Sequence, residues 1–340
     1  MSYFDELKDF SLGLKGALSV DDQLKRLEDI HGLTIINKEY LSSYLINNNY
    51  YYFSGFRKIF LRTYFSNKII RWKGMFNSGV TEEHLFKLIK LNHELSILLQ
   101  NYLSLIERRV KSRSSYFLAI NYGSNMHFNL SLFSNIPSLN EFFDKYYKAL
   151  IENGKLNDEA IIHHIENYNC VLPIWVLIDN LPFGQFIKFM KNLKGEVKNK
   201  VFKQIFDTLN SKIHLNEYLD TNEYLRTLEP LVLLRNRISH NQRIIDINFR
   251  SIFPKDKSKK VDTEKFKKPF IREFLPVIKN NYYKLYDLVK LTRFFLTAEE
   301  YRNLNDRLIQ IIEENNLSQF NNSYCNYDLL LRNEIGIDID

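Results

Sequence analysis

Three residues that could act in catalysis, Arg235, Asn236 and His240, lie within six positions of one another in the segment 228–246. The apolar residues of this segment recur every three or four positions, which predicts an amphipathic helix. On that helix Asn236 and His240 share one side, whereas Arg235 and His240 lie roughly 140° apart around the axis. The long arginine side chain must therefore extend around the helix, or act in a site that a second chain completes.

An arginine and a histidine together suit the cleavage of RNA by its own 2′-hydroxyl group. Imidazole titrates near neutral pH, so a histidine can accept the 2′-OH proton or protonate the departing 5′-oxygen. A guanidinium group can hold the phosphate and offset the charge that grows on its oxygens. This chemistry needs no metal ion or other cofactor, and the sequence predicts none. The same spacing also arises by chance, so the pattern alone leaves a purely structural role open.

Apolar residues recur with helical spacing through most of the chain, and no segment alternates cleanly with a period of two. The pattern predicts an all-α fold. Thr81 is expected to cap a long helix whose first turn holds Glu82 and Glu83. Its last turns are expected to hold the basic residues Arg108, Arg109, Lys111 and Arg113, which suit the negative end of the helix dipole. Further helices are predicted at about 21–30, 38–47, 138–151, 156–168, 183–193, 198–210, 229–245 (with Pro230 in its first turn), 270–297 and 299–315.

Charge is distributed unevenly along this chain, whose net charge is +7. Residues 57–73 contain six basic and no acidic residues, and residues 250–272 contain nine basic and three acidic ones. Such runs can hold the phosphates of a nucleic acid, although ordinary solvated helix faces explain each run about as well. The candidate RNA-binding residues are Arg57, Lys58, Arg62, Lys68, Arg71, Lys73, Arg108, Arg109, Arg243, Lys257, Lys259 and Lys260.

Other features of the composition exclude several classes of protein. The two cysteines have no paired spacing, which favours a reducing compartment over a disulfide framework. The longest apolar stretch, 171–187, is interrupted by polar residues and prolines, so no membrane span and no signal peptide are predicted. His163, His164 and Glu166 are a weak candidate for metal binding, because neighbouring side chains on a helix diverge by about 100°. We expect a cytoplasmic protein without a metal site.

Three blocks of sequence carry a resemblance to a known family. They are DQL at 22–24 with LINNNYYYFSGF at 45–56, LPIWVLID at 172–179 with PFG at 182–184, and the segment from Leu234 to Arg243. In this order they resemble the Abi-like (AbiD/AbiF) abortive-infection family, and RNRISH at 235–240 resembles the RNxxxH motif of HEPN ribonucleases. The family tends to show RNxxAHHxR, whereas this chain has Ser239 and Asn241 at two of those positions and retains Arg243.

The resemblance implies an antiphage effector or toxin that cleaves RNA without a metal ion, with Arg235, Asn236 and His240 as catalytic residues. It also implies a HEPN-like helical bundle with additional N-terminal and C-terminal helices, and a homodimer that pairs two motifs in one site. A cognate structured small RNA is the expected inhibitor. The departure at Asn241 leaves the role of a second histidine in doubt.

The chain is expected to divide into an N-terminal helical extension at 1–80, a HEPN-like core at 81–250, and a basic loop with C-terminal helices at 251–340. One compact unit is the alternative. Two other functions also stay open. The protein could be a non-catalytic RNA-binding scaffold, or a HEPN toxin that a protein antitoxin silences.

Overall fold

The computed structural model describes residues 17–66, 69–154, 158–169, 171–208, 221–247, 249–250, 282–321 and 325–337. Helices make up most of these residues, so the predicted all-α fold is confirmed. The chain divides into two compact units. The first unit contains Met1–Leu91 and Asn315–Leu331, and the second contains Asn92–Glu314 and Arg332–Asp340. The division of the sequence at 80 and 250 remains a prediction.

The first unit combines short helices with one β-hairpin. Ser19 caps the first helix by accepting a hydrogen bond from the backbone N–H of Asp22. Asn49, with φ at 71°, separates the second helix from the third and caps the latter. The elements are α1 (Val20–Lys25, continued by a π-turn at Arg26–Ile30), α2 (Lys38–Asn48), α3 (Tyr50–Gly55), β1 (Leu61–Ser66), β2 (Ile69–Phe76) and the start of α4 (Glu82–Tyr122).

The hairpin of β1 and β2 was not predicted from the sequence. The strands pair antiparallel, and their register shifts between Leu61 and Thr63. An irregularity of this kind changes the phase of the alternation along a strand, so no clean period of two is visible in the sequence. Aromatic and β-branched residues in both strands favour extended backbone all the same. The basic run 57–73 therefore includes β1 and the first five residues of β2.

The second unit is almost entirely helical where it is described, apart from the two-residue strands β3 (Phe249–Arg250) and β4 (Tyr282–Tyr283). Residues 282–283 were predicted as helix. The helices after α4 are α5 (Ile136–Phe142, continued by a π-turn at Phe143–Tyr147), α6 (Lys148–Gly154), α7 (Glu159–Asn167), α8 (Ile174–Asn180), α9 (Phe183–Asn192), α10 (Gly195–Thr208), α11 (Thr221–Ser239), α12 (Leu285–Thr292), α13 (Ala298–Glu314) and α14 (Tyr327–Ile335, which begins in the first unit).

Two predictions about the long helices are wrong. Helix α4 does not end near Arg113 but continues to Tyr122, where Gly123 adopts a positive φ of 89°. The basic residues at 108–113 therefore lie inside the helix, and the dipole argument does not apply to them. Leu118 is fully buried in the added turns, which explains why the helix continues.

Helix α11 also differs from its prediction at both ends. It begins at Thr221, so Pro230 lies inside the helix and not in its first turn. An internal proline costs about 3 kcal/mol, because it removes one backbone hydrogen bond. Tyr224, Leu225 and Leu228 are buried in the preceding turns, and their burial outweighs that cost. The helix ends at Ser239, six residues before the predicted end.

Candidate active site at the end of helix α11

The last turn of α11 positions the three candidate catalytic residues. Backbone hydrogen bonds run from the N–H of His240 to Asn236 O (3.0 Å), from Asn241 to Ile238 O (2.9 Å) and from Gln242 to Arg237 O (2.8 Å). Asn241 has a positive φ of 51°. This is a Schellman motif, in which a residue in the left-handed region ends a helix. His240 thus lies one position beyond the last helical residue, with an exposed side chain.

The chain after His240 is held in place by hydrogen bonds. Arg237 Nη1 donates to the carbonyl oxygen of Arg243 at 3.1 Å. Arg243 Nε lies 2.6 Å from Asp246 Oδ1. The backbone N–H of Ile244 donates to Asn92 Oδ1 of helix α4 at 2.7 Å, in a buried position. His240 is therefore an exposed side chain between a capped helix end and an anchored loop.

Arg235 is half-buried, and the Nε atom and the terminal nitrogens of its guanidinium group have different surroundings. Its Nε lies 3.4 Å from Glu107 Oε2 of helix α4, in an ion pair. The Nε atom is itself buried and has no hydrogen-bond partner among the described residues. Nη1 makes a long contact of 3.4 Å with Asn236 Oδ1. Asn236 is exposed and lies one helical turn before His240.

Glu107 belongs to a second ion pair within α4. Its Oε1 lies 2.8 Å from Lys111 Nζ, four residues further along the helix. Lys111 Nζ also donates to the backbone carbonyl of Asp179 at 3.3 Å. The side chains of Lys111 and Glu107 are only 8% and 13% exposed, against 34% for Arg235. These contacts link three helices, α4, α8 and α11, around the guanidinium group.

The candidate RNA-binding residues have several environments. Arg57 and Lys58 are half-buried, and Arg108 is exposed. Arg109 forms two hydrogen bonds with Glu300, at 2.6 and 2.7 Å. These bonds, together with those from Thr297, lower the pKa of Glu300 to about 2, although partial burial acts in the opposite direction. Arg243 pairs with Asp246 as described above.

The remaining basic candidates lie where the structure gives no side-chain description. Arg62 belongs to β1, and Arg71 and Lys73 belong to β2, but only their backbone is described. Lys68, Lys257, Lys259 and Lys260 fall outside the described residues. The proposed phosphate-binding role of both basic runs stays a prediction.

Sequence reasoning missed the residues that support Arg235. The i, i+4 spacing of Glu107 and Lys111 could have indicated an ion pair. Nothing in the sequence indicates that this pair meets Arg235, because the two helices are far apart along the chain. Asn92, which holds the loop after His240, was missed for the same reason.

In the part of the chain that the structure describes, no group of three or more His, Cys, Asp or Glu side chains is arranged to hold a metal ion. Within the same residues, no helix combines the length and the apolar character that crossing a membrane requires.

Comparison with known proteins gives one match. A family model described as Abi-like protein matches residues 43–246, which include β1, β2, all of α4 and the whole candidate site. No curated protein and no solved structure matches the chain.

Proposed function

Because the chain belongs to the Abi-like protein family, we propose that it is an abortive-infection effector that acts as a metal-independent endoribonuclease of the HEPN type. Membership of the family suggests a role in abortive-infection defence. The more specific proposal, RNA cleavage, depends on the residues at the end of α11.

One observation carries the proposal: Arg235 and Asn236 lie in the last turns of α11, and His240 follows directly at its exposed, capped end. The Nε atom of Arg235 is buried beside Glu107, while the side chain is 34% exposed. Its terminal nitrogens can therefore face a phosphate from a fixed position. Guanidinium groups bind phosphate oxygens through two parallel hydrogen bonds, which suits a phosphate that gains charge during cleavage.

In the proposed reaction, the 2′-hydroxyl of the RNA attacks the adjacent phosphorus. A histidine accepts the 2′-OH proton, and an acid protonates the 5′-oxygen as its bond to phosphorus breaks. The products are a 2′,3′-cyclic phosphate and a 5′-hydroxyl. Arg235 offsets the charge on the phosphate oxygens, and Asn236, which contacts Arg235 and lies one helical turn before His240, can orient the substrate. Each chain supplies one histidine in the motif, so we propose that a second chain supplies the other.

A cognate structured small RNA is the proposed inhibitor. The basic runs at 57–73 and 254–268 would hold its phosphates, as polyanion binding requires. Such an RNA could keep two chains apart without contacting His240. A protein antitoxin is the competing regulator, and co-purification of the inactive complex distinguishes the two by whether RNA or a second polypeptide accompanies the chain.

The proposal is tested with His240→Ala. Loss of the general acid–base should reduce RNA cleavage by about 10²- to 10⁴-fold and remove cellular toxicity, while RNA affinity and helical content stay close to wild type. His163→Ala on α7 is the matched control, because it removes another exposed histidine. Full activity and toxicity in His240→Ala would exclude the nuclease and favour a non-catalytic RNA-binding scaffold.

A further inference from the structure

Arginines of this protein pair with carboxylates in two ways. Arg243 meets Asp246 through Nε, whereas Arg109 binds Glu300 through both terminal nitrogens, at 2.6 and 2.7 Å. The contact between Arg235 and Glu107 also involves Nε, at 3.4 Å. A carboxylate at Nε leaves the terminal nitrogens for another anion, although Nη1 also makes the long contact of 3.4 Å with Asn236 Oδ1.

Glu107 is itself fixed from the opposite side. Its second oxygen pairs with Lys111, whose amine also donates to a backbone carbonyl of α8. Both side chains are nearly buried, and a buried lysine without a partner would be strongly unfavourable. Lys111 and Glu107 therefore hold each other in one geometry, and Glu107 presents a fixed oxygen to Arg235.

We infer that Glu107 is a positioning residue, supported by Lys111, that holds the guanidinium group of Arg235 in its catalytic orientation. This inference rests on the proposed ribonuclease function, but it concerns a separate contact between α4 and α11. Without Glu107 the arginine side chain can adopt several rotamers, and only a fraction of them place its terminal nitrogens at a reacting phosphate. Arg235 still carries its charge, so RNA still binds while the chemical step slows.

The first test compares a variant that removes only the carboxylate of Glu107 with one that removes both buried charges. Glu107→Gln alone leaves Lys111 buried without a carboxylate, so it is expected to lower stability. The double variant Glu107→Gln/Lys111→Met removes both buried charges and is expected to recover much of that stability. Both variants should lower kcat by about 10- to 100-fold with KM changed less than threefold. The control is Lys148→Met/Glu152→Gln on α6, because that pair has the same i, i+4 spacing but is mostly exposed.

The second test uses the guanidinium ion as a probe, at concentrations far below those that unfold proteins. In Arg235→Ala, added guanidinium should restore part of the cleavage rate, because Glu107 still offers its carboxylate at the vacant site. In Arg235→Ala/Glu107→Gln the same ion should restore none. Equal rescue in both proteins, or a stable Glu107→Gln/Lys111→Met protein with wild-type kcat, would overturn the positioning role.

A third measurement does not depend on RNA cleavage. The Nε–H signal of Arg235 in a spectrum of arginine-labelled protein, identified by its loss in Arg235→Lys, should show slow hydrogen exchange and restricted motion. The double variant should show fast exchange and free motion. A signal that is equally mobile in wild type overturns the inference. Wild-type protein that cleaves no RNA but holds Arg235 rigid through Glu107 would refute the proposed function and leave the positioning contact in place.

Discussion

At the scale of single residues, two arginines of the second unit, Arg235 and Arg109, have different environments. Arg235 is held through a buried Nε beside Glu107, and its side chain is partly exposed. Arg109 uses both terminal nitrogens to bind Glu300, a residue that also accepts a hydrogen bond from the backbone of Thr297 at the start of α13. In the proposed function the first arginine is catalytic, and for the second we expect a mainly structural role.

Substitutions of the neighbouring residues Arg108 and Arg109 test whether the role of Arg109 is mainly structural. Arg109→Ala should lower the free energy of unfolding by about 1–2 kcal/mol, because Glu300 loses a partly buried partner. Arg108→Ala, at an exposed position, should change stability by less than about 0.5 kcal/mol. Urea denaturation measures both. RNA affinity in moderate salt should fall more for Arg108→Ala, and a larger loss for a folded Arg109→Ala would contradict the structural role.

At the scale of elements, the end of α11 explains a departure from the family pattern. Position 241 requires a positive φ, and asparagine and histidine both adopt that region several times more often than most other residues. Asn241 can therefore replace the family's second histidine without altering the helix end that positions His240. The backbone requirement is met even though the imidazole is absent.

Substitution of Asn241 tests the requirement for positive φ. Asn241→Ala should lower the free energy of unfolding by about 1 kcal/mol, because asparagine adopts the left-handed region more readily than alanine does. Asn241→Gly should leave it unchanged or slightly higher. The midpoints of urea unfolding should follow that order, and cleavage by the alanine variant should fall with the loosening of His240. Equal stability of the two variants would show that the cap is unimportant.

The turn Met126–Phe128 contains a second notable histidine. His127 is fully buried, and neither ring nitrogen has a hydrogen-bond partner among the described residues. Burial lowers the pKa of His127 to about 4, from an ordinary value of 6.5. The folded protein therefore keeps this imidazole neutral at pH values where the unfolded chain takes up a proton.

This difference predicts an acid-sensitive stability. The contribution of the neutral His127 to the free energy of unfolding is complete above pH 6.5. It is lost as the pH falls from 6.5 towards 4, because only the unfolded state binds the proton in that range. His127→Phe should lose less stability over the same interval than wild type, by on the order of 1–3 kcal/mol. Exposed His163→Gln serves as the control. Identical pH profiles for wild type and His127→Phe would show that His127 does not stay neutral when buried.

At the scale of the whole molecule, the proposed reaction needs more acid–base groups than a single chain supplies in the motif. A phosphate requires a base on one side and an acid on the other, whereas each chain contributes one histidine to the motif. Two copies related by a two-fold axis would each supply His240 at an exposed helix end, which is the simplest complete site.

A mixing experiment tests the two-chain site. When His240→Ala protein is added to a constant amount of wild type, cleavage should fall, because mixed dimers lack one histidine. Wild-type activity alone should rise more steeply than linearly with concentration in the range where dimers form. Addition of the His163→Ala control protein should not inhibit. Strictly linear activity by a protein that stays monomeric at every active concentration would exclude the shared site.

The sequence by itself determined the helical character of the chain and the candidate catalytic residues. Helical periodicity is a local property, so the starts of α4 at Glu82 and α9 at Phe183 were predicted closely. The spacing of Arg235, Asn236 and His240 is also local, since all three lie within six consecutive positions.

Only the tertiary structure decided where α11 begins and ends and what surrounds Arg235. The burial of Tyr224 outweighs the cost of Pro230, and the positive φ of Asn241 ends the helix early. The contact with Glu107 joins residues that are distant in sequence, and such contacts depend on how the helices pack. Local spacing carries no information about that packing, which is why Glu107 could be recognised only in the folded chain.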